Sequence, residues 1–316
     1  MVNAFGQLPD STSIAKYKLL LNNPGLRVEA IASLNNMYNF RFYEAELQFN
    51  WMKYKYPNHP LPYFLLGLSN FWKMMPNNSI TTYDETFLAY MDTAIYFGEK
   101  MLDKDPQNPE AIFFCAGAYG FKGRLLSERG NFSKAGVAAK NALTYMKKSK
   151  NISDFGVEFM FGDGLYNFYR EWVPENYKWL RPVMSLFPKG NKELGIKQLE
   201  EVSSNAFFTR VEAQYYLSRI YSNEERTPAK GYPIMKYLYE TFPDNSYFHR
   251  QSARMAFLNG KWDEARTESE KILSKVEASY VGYEANTARY ASYTLGYIHY
   301  YKTNDLAQAW KYFTDT

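Results

Sequence analysis

The sequence predicts an all-α protein in which about seven helix pairs stack side by side into one continuous array. Three observations predict this fold class. Small residues recur at matched positions along the chain, prolines recur at a fixed distance beyond some of them, and no segment shows the two-residue alternation of a β-strand.

The composition is that of a folded, well-packed chain with an unusual number of aromatic residues. Of the 316 residues, 46% are hydrophobic and 22% charged, and the mean hydropathy is −0.49. Tyr, Phe and Trp together make up 18% of the chain. No apolar run approaches the roughly 18 to 20 residues that cross a bilayer, so we expect no transmembrane segment. The high content of aromatic residues needs a structural explanation.

The charges disfavour a nucleic-acid partner. There are 37 basic and 33 acidic residues, mixed along the chain, with a net charge of +4. Nucleic-acid binders normally concentrate positive charge on one face. The one cysteine, Cys115, excludes an internal disulfide and a cysteine-based zinc site.

The clearest helix pair spans residues 244 to 273. Ala253 is small enough for close contact between two helices, Asn259–Lys261 contains the turn, and Ala265 begins the contact face of the second helix. Ser269 follows Ala265 at plus four, the spacing of one helical face.

The same pattern of small residues repeats along the chain. Small residues that mark the first helices are Ser33, Gly67, Ala116, Gly162, Ser218, Ala253 and Gly296. Small residues that mark the second helices are Ala45, Ala94, Ala135, Gly195, Gly231, Ala265 and Ala309. Four of the seven separations are 12 or 13 residues and three are longer, so three pairs are expected to carry insertions.

Prolines support this spacing independently. Pro57, Pro106 and Pro243 each stand 12 residues after a second-helix marker. Proline lacks the amide donor and clashes with the preceding turn, so it ends a helix there.

These segments resemble tetratricopeptide repeats of the bacterial type. The resemblance is carried by Tyr63–Gly67 with Asn70 and by Asn259–Ala265, and it covers residues 25 to 316. It implies a single right-handed α-solenoid of about seven helix pairs with an inserted segment at about 165–192. Residues 1–24 would be an N-terminal extension.

Residues 155–245 are also similar, more distantly, to the inclusion-body clearance family. Gly162–Tyr166, Pro188–Gly190, Gly195, Leu199 and Glu212-Ala213 carry that likeness. It implies no particular chemistry.

The resemblance implies that first helices line a concave groove, and helical periodicity then selects the side chains that point into it. The candidate partner-binding residues are Phe64, Phe71, Phe113, Phe159, Tyr166, Tyr215, Arg219, Arg250, Arg254, Tyr293 and Tyr297. Aromatic and arginine side chains are typical of binding hot spots. The alternative for each ring is a place in the core, and for the arginines an internal ion pair with acids such as Glu212. The inserted segment either covers the groove as a lid or packs on its neighbours.

The sequence offers no catalytic or metal-binding set. The three histidines are far apart, no His-Glu-x-x-His run occurs, and no phosphate-binding glycine loop follows a strand. Asp154, Glu158 and Asp163 are expected to be solvated acids. We therefore expect a protein-protein interaction scaffold for a protein or peptide, with no catalysis, no metal and no cofactor.

Two other functions remain open at this stage. A carbohydrate-binding or enzymatic module would use the aromatic surface to stack sugars, and RNA binding would need a basic groove, which the mixed charges disfavour. Val2–Gln7 is similar either to the end of a trimmed secretory signal or to an ordinary N-terminus, which slightly favours the periplasm or cell envelope over the cytoplasm. No feature predicts the oligomeric state.

Overall fold

The computed structural model describes residues 19–149 and 156–314; the expectations for the first residues of the N-terminal extension and for Asp154 lie outside these ranges. The described residues form fifteen α-helices and no β-strand. In chain order the helices are α1 (Pro24–Tyr38), α2 (Phe42–Lys55), α3 (Pro60–Met74), α4 (Asp84–Lys104), α5 (Pro109–Glu128), α6 (Phe132–Ser149), α7 (Gly156–Asn176), α8 (Arg181–Met184), α9 (Lys192–Asn205), α10 (Arg210–Arg219), α11 (Pro228–Thr241), α12 (Ser246–Leu258), α13 (Trp262–Glu277), α14 (Ala285–Ile298) and α15 (Leu306–Thr314).

The helices form seven pairs, and consecutive helices pack against each other along the chain. Only the short α8 stands outside this pairing, in the segment between α7 and α9. A π-helical turn extends α10 at Ile220–Glu224 and another extends α14 at His299–Thr303. The predicted all-α solenoid of helix pairs is confirmed.

Local sequence signals account for where these helices begin and end. The side chains of Asn23, Asn108, Asn191 and Asn245 each accept a hydrogen bond from a backbone amide in the first turn of the helix that follows. Such capping satisfies donors that have no partner within the helix. The helices α2, α4 and α11 end two residues before the prolines that were expected to stop them.

The small residues lie at close contacts between paired helices. A Cβ on Gly67 would lie 2.5 Å from Cε of Met91 in α4, and one on Gly231 would lie 2.7 Å from the carbonyl oxygen of Ser218. A Cβ on Gly296 would lie 2.7 Å from the ring of Phe313. At these positions the missing side chain is what allows the helices to approach each other.

Two pairs use different small residues from those that the spacing suggested. In the fourth pair a Cβ on Gly195 would lie 2.7 Å from the carbonyl oxygen of Gly164, whereas Gly162 faces Met146 of the preceding pair. In the third pair Gly123 approaches the carbonyl oxygen of Ala135. Gly123 precedes Ala135 by the compact spacing, so the turn between α5 and α6 is as short as in the compact pairs.

The two ends of the superhelix meet across its concave side. One continuous hydrophobic core runs from Leu20 to Ile298. The Trp72 indole of α3 donates a hydrogen bond of 2.8 Å to Oε1 of Glu212 in α10, and the Tyr38 hydroxyl of α1 donates one of 3.2 Å to the same oxygen. The Trp72 ring also packs edge-on against Phe248 of α12, with 5.3 Å between centroids.

Two polar contacts of α12 and its N-cap residue strengthen this closure. Nδ2 of Asn245 donates to the Tyr38 carbonyl at 2.6 Å, and Nη1 of Arg250 donates to the Pro76 carbonyl at 2.7 Å. The first helices therefore do not line an open hollow along their whole length, because side chains from both ends fill part of it.

Candidate binding cavity

Part of the concave side stays unfilled and forms a cavity of about 460 Å³. Four of the candidate partner-binding residues line it: Phe64 from α3, Phe113 from α5, and Phe159 and Tyr166 from α7. The remaining walls come from α1, α6, the inserted segment and the beginning of α10. Its volume lies within the roughly 300–1,000 Å³ that is usual for ligand sites.

The cavity exists because the helices that face each other across it have glycine and alanine at the facing positions. A Cβ on Gly120 of α5 or Gly136 of α6 would meet no atom within 4 Å. Further small residues in the lining are Ala116, Gly117, Gly123, Ala135, Ala139, Ala142 and Gly162. The sequence spacing predicts Ala116, Ala135 and Gly162 at helix contacts, whereas in the structure all three line this space.

Exposure distinguishes the floor of the cavity from its mouth. Leu61 and Tyr38 are 2% and 1% exposed and form part of the floor. Phe132 of α6 and Val183 of α8 also line the cavity, yet they are 41% and 45% exposed. The cavity therefore opens between α6 and the inserted segment.

The inserted segment both packs on its neighbours and forms a wall of the cavity. Residues 177–191 contain the 3-10 turn Lys178–Leu180 and the single-turn helix α8. Leu180, Val183, Met184 and Phe187 face the cavity.

Contacts with α6 and α7 hold this segment in place. The Trp179 ring meets Phe132 edge-on at 4.9 Å. The Tyr166 hydroxyl donates to the Pro188 carbonyl at 2.6 Å, and Nη2 of Arg170 donates to the Phe187 carbonyl at 3.0 Å. Tyr166 therefore both lines the cavity and anchors the segment that closes it on one side.

Glu212 is a buried polar group on the mostly apolar floor. It is 3% exposed, and its Oε2 has no hydrogen-bond partner although Oε1 has two. Burial raises the pKa of this carboxyl, and the positive charge of Arg124 and the hydrogen bonds from Trp72 and Tyr38 oppose that rise. Nη1 and Nη2 of Arg124 donate to the hydroxyls of Tyr216 and Tyr215 at 2.8 and 2.9 Å.

The expectation that Glu158 is a solvated acid is wrong. It is 7% exposed, and its carboxylate accepts hydrogen bonds from the amides of Phe207, Phe208 and Thr209 and from the Thr209 hydroxyl. It therefore holds the segment Phe207–Thr209, which leads into α10 of the neighbouring pair. A single buried acid on a helix gives no sequence signal of this contact, because its partners lie about 50 residues away.

Three of the candidate residues lie in the closed part of the concave side. Phe71 and Tyr215 are each 1% exposed, and Arg250 is 7% exposed with its guanidinium bound to the Pro76 carbonyl. Their side chains fill space between the two ends of the superhelix, so they are not on an open surface in this structure.

The other four candidates lie on the C-terminal pairs, away from the lining of the cavity. Nε of Arg219 pairs with Glu224 at 3.2 Å, and Nη1 of Arg254 donates to Asn223 at 3.1 Å. Tyr297 packs against Phe257 with centroids 5.0 Å apart, while Tyr293 is 50% exposed. The predicted arginine group is thus spread over separate internal contacts.

The described residues contain no group of three or more His, Cys, Asp or Glu side chains that could hold a metal ion. Cys115 is fully buried, and burial raises its pKa to about 12, so it is not an activated thiol. His249 is held between Glu268 and the Tyr283 hydroxyl at 2.9 Å on each side. Within residues 19–149 and 156–314, no helix is long and apolar enough to span a membrane.

Comparison with known proteins adds a structural likeness. No family model and no curated protein matches the sequence. Among solved structures, the chain is similar to the C-terminal part of a TPR repeat-containing protein from Cytophaga hutchinsonii, with 18% identity and a TM-score of 0.40 over 90% of this chain and 92% of that one. The fold is established by the helix pairs themselves.

Proposed function

We propose that the protein is a non-catalytic scaffold that binds a partner protein or peptide, and that apolar side chains of the partner occupy the cavity between α5, α6, α7 and the inserted segment. The observation that carries this proposal is the cavity itself. It is lined almost entirely by apolar side chains and opens between Phe132 and Val183, which are exposed and apolar.

The energetics of burial favour such a site. Moving a Leu, Phe or Met side chain from water into an apolar environment is worth about 1.5–3 kcal/mol. A few anchors of this kind normally supply most of the affinity of an interface. The rings of Phe64, Phe113 and Phe159 would contact these anchors directly.

The geometry gives less support to carbohydrate binding. Sugar recognition needs hydrogen-bonding side chains beside the stacking rings, since each buried hydroxyl needs a partner. Most polar groups on the floor are already engaged: the Glu158 carboxylate binds the amides of Phe207–Thr209, Arg124 binds two tyrosine hydroxyls, and one oxygen of Glu212 is left without a partner. We therefore keep protein binding as the one proposed function.

The test is to fill the cavity without disturbing the fold. Gly136→Leu places a side chain in the cavity, and Gly156→Leu is the matched control, since its Cβ also meets no atom and it lies outside the lining. Each protein is immobilised and exposed to extract from its native source, and retained proteins are identified by mass spectrometry. We expect a protein retained by the wild type and by Gly156→Leu but not by Gly136→Leu. Equal retention by all three would contradict the proposal.

A further inference from the structure

The two segments at the mouth of the cavity carry only positive charges. Helix α6 has four lysines, and the inserted segment at 177–191 has Lys178, Arg181 and Lys189. Neither segment contains Asp or Glu. The whole chain has a net charge of only +4, so these two segments are basic while the rest of the chain is acidic on balance.

Helical geometry places some of these charges beside the opening. Lys140 follows Gly136 by four residues and Lys147 follows Leu143 by four, so each lysine lies on the same side of α6 as a residue that lines the cavity. Both lysines are exposed. In the inserted segment, the exposed Lys178 and Arg181 flank Leu180, which also lines the cavity.

Two acids at the end of α7 offset only part of this positive charge, because the two segments together carry seven basic residues. Oε2 of Glu171 accepts a hydrogen bond from the Lys192 amide at 3.0 Å, and Oε2 of Glu175 lies 3.5 Å from the Lys192 ammonium. The rim is therefore matched to a negatively charged partner.

The apolar lining restricts the backbone conformation of the partner. An extended peptide would bring amide and carbonyl groups into a space that offers few hydrogen-bond partners, and each unsatisfied group would weaken binding. A helix satisfies these groups internally and presents only side chains. A helix lying across the mouth could place apolar side chains inside the cavity.

We propose that the partner segment is an amphipathic helix whose apolar face enters the cavity and whose flanking Asp or Glu side chains meet the basic rim formed by α6 and the inserted segment. This inference rests on the proposed function, because it names the chemistry of the partner for the same site. The affinity of such a helix depends on salt, since rim charges are exposed to solvent.

Fluorescence anisotropy with two designed peptides tests the inference. Both peptides carry leucines at i, i+3, i+4 and i+7; one carries Glu on the flanks of that stripe and the other carries Lys. We expect the Glu peptide to bind the wild type more tightly than the Lys peptide does. We expect Lys140→Glu with Lys147→Glu to weaken the Glu peptide about tenfold. Lys197→Glu, at an exposed position of α9 outside the lining, is the matched control and should leave binding unchanged.

Other outcomes overturn the inference and show which part of it fails. If the Lys peptide binds as tightly as the Glu peptide, or if the double charge reversal leaves binding of the Glu peptide unchanged, the partner is not acidic. If vesicles of phosphatidylglycerol bind the wild type and lose binding on charge reversal while neither peptide binds, the rim serves a membrane instead. If Gly136→Leu weakens capture of the native partner but the charge reversals do not, the cavity stands as the site and only the charge argument fails.

Discussion

Glu212 connects helices that are far apart in the chain. One of its carboxyl oxygens accepts hydrogen bonds from Tyr38 of α1 and Trp72 of α3, which are 174 and 140 residues away. The single carboxylate thus joins the first two pairs to the fifth. Its other oxygen has no partner, which makes it the least satisfied polar atom on the cavity floor.

Replacing Glu212 by Leu is expected to destabilise the protein. The Tyr38 hydroxyl and the Trp72 indole would both lose their acceptor while remaining buried, which costs about 2–4 kcal/mol for the two. Urea denaturation measures the difference, and Glu277→Gln, at an exposed position, serves as the control. A change below about 0.5 kcal/mol for Glu212→Leu would show that this connection contributes little.

The same residue makes stability depend on pH in a predictable direction. Because burial raises the pKa of Glu212 in the folded protein, the folded state holds its proton more strongly than the unfolded chain does. The stability from this group is therefore fully present below the ordinary pKa of 4.5 and is lost as the pH rises through the folded-state pKa. The wild type should lose stability relative to Glu212→Gln over that interval in urea denaturation at a series of pH values. A pH-independent difference would contradict the argument.

Cys115 is expected to be unreactive in the folded protein. Its side chain is fully buried and burial raises its pKa to about 12, so almost no thiolate is present at neutral pH. Reaction with a chromogenic disulfide reagent should be slow in buffer and rapid in guanidinium chloride. Rapid labelling without denaturant would show that the helices around it open readily.

At the scale of helices, glycines do two opposite things in this fold. Some allow helices to touch, as Gly195 does against Gly164, and others leave space open, as Gly120 and Gly136 do in the cavity. Sequence spacing identified the helix pairs because a small residue is required at each contact. Spacing alone cannot separate the two roles, so it points to Gly162 although Gly164 makes the contact.

Alanine substitution should distinguish these two roles. Gly136→Ala should raise the free energy of unfolding by about 0.5–1 kcal/mol, because it removes a flexible residue from a helix interior and meets no atom. Gly195→Ala should lower it by about 1–3 kcal/mol, because the new Cβ would lie 2.7 Å from backbone atoms of α7. Chemical denaturation of both variants measures this. Changes of the same sign would contradict the assignment of these two positions.

At the scale of the whole molecule, the decisive feature is the contact between the two ends of the superhelix. Because of this contact, the candidate groove residues Phe71, Tyr215 and Arg250 are buried. The candidates Phe64, Phe113, Phe159 and Tyr166 lie around the cavity. The repeat pattern determines how each pair packs on the next. It carries no information on curvature summed over seven pairs, so contacts such as that between Tyr38 and Glu212 could not be predicted from it.

The central claim is that the unfilled part of the concave side is a binding cavity, and titration with the anionic, apolar dye anilinonaphthalene sulfonate tests it most directly. The dye matches both the apolar lining and the basic mouth. We predict saturable fluorescence enhancement at a single site in the folded wild type and in Gly156→Leu, and its loss in Gly136→Leu. Absence of saturable binding in the wild type, or equal binding in Gly136→Leu, would contradict the claim.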